Sequence, residues 1–166
     1  MPIYARKKDS DYTAAPEGLW PAVCVDVVDL GIVTTQYGAQ LKIQIRWQLE
    51  ERDEKTGRRF LIVQSYTPSL HEKSKLRPLL EAWRGKKFNA EELKQFDIEK
   101  LLGANCQLQI IHNIKDEGRV FANVQAVVPM AKGAVKLRPE EYIRVVDRPK
   151  ETNEQGAQQD DSYVPF

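Results

Sequence analysis

Lys42 and Arg46 stand in the stretch AQLKIQIRWQLE, with Gln44 between them and Gln48 just beyond. In an extended chain successive side chains alternate in direction, so these four project from one face. Two cations interleaved with two amides suit phosphate oxygens and the polar edges of bases. Arg58 and Arg59 follow the second loop, Arg58 ending the charged, turn-rich connection ERDEKTGR and Arg59 starting RFLIVQSYT, and Lys115 and Arg119 flank the last hairpin, whose tight turn is DEGR. Each of these bases alone reads as a solvated surface charge, and only clustering on one face would make a polyanion site. Three rings are placed to stack on unpaired bases, each stack worth roughly 1–3 kcal/mol. Tyr37 lies between the first two strands. Phe121 alternates with Val120, Ala122 and Val124, and so stands outside if those three face the core. Tyr66 stands outside if Leu61 and Val63 point inward; the opposite phase buries it with Phe60.

Residues for covalent or metal chemistry are scarce. His71 and His112 are far apart in sequence, and no G-x-x-x-x-G-K-[ST], C-x-x-C or H-E-x-x-H pattern occurs. Cys24 and Cys106 with the two histidines lack ligand spacing. Glu50/Glu51 and Glu91/Glu92 fall in a turn and a helix start, where solvated or capping charges explain them. The expectation is a protein that is not an enzyme and holds no cofactor or metal.

The elements that must position these groups are mostly strands. WPAVCVDVVDLGIVTTQYG is β-branched and interrupted by Gly31, which predicts a long strand with a bulge there. Leu41, Ile43, Ile45, Trp47 and Leu49 alternate with polar residues and predict a second strand, with Trp47 in the core. RFLIVQSYT predicts a third. A helical stretch follows. Leu76, Leu79, Leu80 and Trp83 form one stripe, with Ser74 placed to cap and Gly85 to end the helix. Asn89 with Glu92, and Asp97 ahead of Gly103, start two shorter turns. Strands resume at ANCQLQIIHNIK and VFANVQAVVPM, and YIRVV reads as a short edge strand. Three strands, a helical insertion and two strands match a mainly β, five-stranded OB-like barrel with the insertion between strands 3 and 4. A mixed α+β sandwich shares this order.

The 166 residues suffice for one domain with a substantial core. Hydrophobic residues are 42% and mean hydropathy is −0.53. Residues 1–18 read as a flexible arm, 19–147 as the folded domain and 148–166 as a disordered acidic tail. Four acids and no base fall within 151–166, which leaves +5 on residues 1–150 from 25 basic and 20 acidic side chains. No apolar run reaches the ~20 residues of a membrane span, and MPIYARKKDSDY lacks a secretory apolar core. The expected location is cytoplasmic, with Cys24 and Cys106 as buried thiols and no membrane partner.

The last seven residues, DDSYVPF, combine acids with Pro165 and Phe166. An apolar ring and an α-carboxylate suit a partner's pocket rimmed by Arg or Lys. This ending resembles the acidic tip of bacterial single-stranded DNA-binding proteins, which typically reads D-D-D-I-P-F. Asp160 and Asp161 match two of the acids and Val164, Pro165 and Phe166 match I-P-F, while Ser162 and Tyr163 depart from it. The segment Tyr66 to Leu93 resembles a stretch of phage and prophage replication proteins thought to bind single strands. The body does not resemble that of the tetrameric bacterial family, so its oligomeric state is not transferred and a homo-oligomer stays open. These resemblances imply a phage or bacterial protein that binds single-stranded DNA in replication or recombination. Tyr37, Lys42, Arg46, Arg58, Arg59, Tyr66, Lys115, Arg119 and Phe121 are the candidate DNA contacts. Asp160, Asp161, Val164, Pro165 and Phe166 would recruit replication or recombination proteins. The alternatives are a protein-interaction adaptor of phage replication and an RNA-binding OB module.

Overall fold

The computed structural model describes residues 13–114 and 118–148. The apolar alternation that begins at Leu41 lays down the central hairpin, in which β1 (Gly18–Thr35) pairs antiparallel with β2 (Gly38–Arg52). Ile43, Ile45, Trp47 and Leu49 all point inward and are buried, Trp47 completely. Strand β1 shifts register twice, between Cys24 and Asp26 and between Asp29 and Gly31. The second shift is the bulge expected at Gly31, whose φ of 66° lies in the left-handed region. Its N–H donates to the Asp29 carboxylate at 2.8 Å.

Strand β3 (Arg59–Tyr66) adds to β2, while β4 (Asn105–Ile114) adds to the first part of β1 and carries β5 (Val120–Val128). The result is one antiparallel sheet in the order β3-β2-β1-β4-β5. The edge strands β3 and β5 approach each other without pairing.

The insertion folds as its caps dictate. Helix α1 (Leu76–Arg84) buries Leu76, Leu80 and Trp83, and Gly85 ends it at φ 74°. The Ser74 hydroxyl accepts from the Arg77 N–H at 3.3 Å. Asn89 and Glu92 form a reciprocal capping box on α2 (Ala90–Lys94), and Asp97 caps the 3-10 turn Ile98–Leu101. The stripe of α1 packs on the inner face of the sheet, where the Trp47 and Trp83 ring centroids lie 5.8 Å apart. Leu76 and Leu80, both almost wholly buried, each contribute roughly 1.5–3 kcal/mol by leaving water.

Two sequence expectations are corrected here. Residues 13–17 belong to the fold rather than to an arm. Ala15 is buried, its carbonyl lies 2.7 Å from a His112 ring nitrogen, and Glu17 accepts from the His112 N–H at 3.0 Å. The stretch Tyr142–Val146 forms no strand, and a 3-10 turn at Val145–Asp147 takes its place.

Cys24 and Cys106 are free and buried. Burial pushes the Cys24 thiol up to about 12 and the Cys106 thiol higher still. Neither thiol should therefore react with iodoacetamide at pH 8 in the native protein, whereas both should react once it is unfolded. Rapid native labelling, read by mass spectrometry, would contradict this placement.

Candidate nucleic-acid interface

The sheet has two unlike faces. The inner face is the core. On the outer face of β2 and β3, register sets Gln44 beside Ser65, Arg46 beside Val63 and Gln48 beside Leu61. Lys42 continues this row, and its ammonium donates to the Thr67 hydroxyl at 3.0 Å. Leu61 and Val63 are exposed at 42% and 38%, so apolar surface lies among the polar groups. Arg46 is oriented by the Gln44 carbonyl, which accepts from its Nε at 2.9 Å.

Part of the outer face is covered. Residues 137–145 run across it as a strap, and side-chain amides take the place of a neighbouring strand. Asn105 exchanges two hydrogen bonds with the Leu137 backbone, at 2.6 and 3.1 Å. Gln48 does the same with the Glu140 backbone, at 2.7 and 2.8 Å. A strap without a strand partner must satisfy its peptide groups in this way.

Asp26 anchors the far end and is 1% exposed. Its carboxylate accepts from the Tyr142 hydroxyl at 2.7 Å, Arg144 Nε at 3.0 Å and the Val145 N–H at 3.0 Å. Burial works to raise this carboxyl, but the Val145 N–H, the Tyr142 hydroxyl and Arg144 outweigh it and hold it below the usual carboxylate range. Arg46 joins the cluster through a 3.4 Å hydrogen bond to the Tyr142 hydroxyl.

The sequence candidates therefore separate. Lys42 and Arg46 share the outer face as expected, but Gln48 is 7% exposed beneath the strap. Tyr66 leaves the contact set. Strand β3 runs in the opposite phase, with Ile62 and Tyr66 inward, and Tyr66 is 8% exposed, its hydroxyl raised by burial. Arg58 is exposed in the β2–β3 connection. Arg59 is largely enclosed, donating to the Arg138 carbonyl at 2.8 Å and pairing with Glu140 at 3.3 Å.

Tyr37 is 81% exposed at the β1–β2 turn. Phe121 is half-buried on β5, with the Arg119 guanidinium 5.5 Å from its ring centre. Strand β4 runs past the Gly18 end of β1 toward Phe121, so Tyr37 and Phe121 lie at opposite ends of the course of β1. Lys115, Asp160, Asp161, Val164, Pro165 and Phe166 lie outside the described residues.

Sequence reasoning missed the strap anchors Asp26, Arg52, Glu140, Tyr142 and Arg144. The signal for Asp26 was present: a lone acid inside VCVDVV must find partners if the run is buried.

A groove of about 640 Å³ opens between Leu41, Ile43, Phe96 and Ile98, but Asp29, Asp97 and Glu99 line it with one cation, Arg144, which is already paired with Asp26 and Glu99, and this balance disfavours a polyanion there. Among the described residues no group of three or more His, Cys, Asp or Glu is placed to hold a metal ion. None of the described helices is long and apolar enough to cross a membrane. No protein-family model matches the chain, and no curated protein matches it.

Proposed function

We propose that this chain is a non-enzymatic protein that binds single-stranded DNA across the outer face of β2 and β3. The observation that carries the reading is the composition of that face: Lys42, Arg46 and Gln44 share it with half-exposed Val63 and Leu61. Cations and amides suit phosphates and base edges, while apolar surface suits the unpaired bases themselves. A duplex hides its base faces, so such a surface favours single strands. Tyr37 adds an exposed ring, and Arg119 with Phe121 adds a second cationic ring site. The strand order, the insertion between β3 and β4, and the approach of β3 to β5 support reading the sheet as an OB-like barrel. Residues 148–166, through DDSYVPF, would recruit replication or recombination partners in a bacterial or phage-infected cytoplasm.

A second reading has an observation of its own. Ile32, Tyr37 and Leu41 are exposed at 72%, 81% and 56% on the β1–β2 hairpin, as a protein-interaction adaptor would require. Competition among single-stranded DNA, duplex DNA and RNA of one sequence separates these readings. The proposal expects single-stranded DNA to win. Equal or absent binding of all three would favour the adaptor, and an RNA preference would move the assignment to an RNA-binding module.

A further inference from the structure

Arg52 on β2 and Arg59 on β3 are directly opposed in the sheet register. Two like charges opposed across an antiparallel pair repel each other, so the arrangement calls for an anion between them. Glu140 supplies it. Its two carboxylate oxygens each accept from Arg52 at 2.8 Å, and one lies 3.3 Å from Arg59 Nε. Both guanidiniums are also held by backbone carbonyls, Arg52 by Gly57 at 3.1 Å and Arg59 by Arg138 at 2.8 Å. The result is a preformed two-arginine fork, the geometry that grips a carboxylate or a phosphate equally well.

We infer that Arg52 and Arg59 form a phosphate subsite for the nucleic-acid backbone, and that the Glu140 carboxylate is its internal competitor. The inference rests on the single-strand reading above and gives that face a second cationic position, one strand end away from Arg46. Docking a phosphate releases Glu140 from the arginines and loosens the strap at the Glu140–Gln48 contact, while Asn105 and Asp26 keep it attached on either side. The anion and its replacement carry the same sign, so the fork need not be rebuilt. Glu51 precedes Arg52 on β2, and Asp53 and Glu54 follow it in the β2–β3 connection. They keep its surroundings close to neutral, which limits the subsite to a single phosphate rather than a track.

The experiment uses the full chain and a labelled oligo-dT read by anisotropy across a salt series. Glu140→Gln keeps the backbone bonds to Gln48 and weakens the grip on both arginines. It should tighten binding on the order of fivefold at low salt and steepen the log–log salt slope by roughly 0.7 for one added phosphate contact. Adding Arg52→Gln to Glu140→Gln should abolish the gain. A folded Glu140→Gln chain that binds like wild type, or a gain that survives Arg52→Gln, overturns the subsite while leaving the single-strand reading intact. If neither wild type nor Glu140→Gln binds oligo-dT, both fall together. A second measurement needs no substitution. On adding oligo-dT to wild type, hydrogen exchange at the Glu140 N–H should accelerate, and unchanged or slower exchange there overturns displacement of the strap.

Discussion

Asp26→Ala is expected to destabilise the protein by about 3 kcal/mol. The carboxylate is buried, and its loss strands three donors: the Tyr142 hydroxyl, Arg144 Nε and the Val145 N–H. Removing one partner of a buried ion pair costs roughly 3–5 kcal/mol, because the charge left behind is uncompensated. Arg144 keeps Glu99 as a second partner at 3.0 Å, which places the expected loss at the lower end. The same anchor sets a pH response. The Asp26 carboxyl is held below its ordinary value in the folded protein, so its contribution is complete above the usual carboxylate range and disappears as pH falls through the depressed folded value. Urea midpoints for wild type and Asp26→Ala should therefore differ most at neutral pH and converge in acid. Equal midpoints at pH 7 would contradict the anchoring role.

The second large effect concerns binding. Lys42→Ala combined with Arg46→Ala should weaken oligo-dT binding about tenfold near physiological salt and flatten the salt slope by roughly 1.4, the equivalent of two phosphate contacts on a single strand. Both side chains lie on the outer face of β2, opposite Ile43 and Ile45, so the core stays intact. Arg46 also touches the Tyr142 hydroxyl, and protected hydrogen exchange at the Val145 N–H should verify that the strap stays anchored. Loss of affinity with an unchanged slope would mean that these cations act through structure rather than on phosphates.

Both predictions depend on features that the sequence disclosed unevenly. Strand β2 was legible because one face is buried and the other more open from Ile43 to Trp47, which forces a period of two there, although Leu41 is exposed and Gln48 is covered by the strap. The insertion was legible through its caps, since Ser74, Asn89 with Glu92, and Asp97 satisfy orphan N–H groups at fixed offsets. The phase of β3 was not legible. FLIVQSY carries large apolar residues at both parities, and only pairing of Ile62 with Trp47 decides that Tyr66 turns inward. The strap was misread for a related reason. YIRVV has the composition of a strand, yet its neighbourhood is held by side-chain amides and a buried carboxylate rather than by a ladder. Those partners, Gln48, Asn105 and Asp26, come from distant parts of the chain, and local pattern does not encode them. Arg59 shows the consequence: an exposed-looking loop base is enclosed because Glu140 reaches it from 81 positions away.

The most direct test of the central claim is a titration of the full chain into labelled oligo-dT and into the matching duplex, repeated over a series of salt concentrations. The account predicts tighter binding of the single strand, with the logarithm of affinity falling linearly against the logarithm of salt. Failure to bind oligo-dT at low salt, or an affinity that salt leaves unchanged, would contradict it.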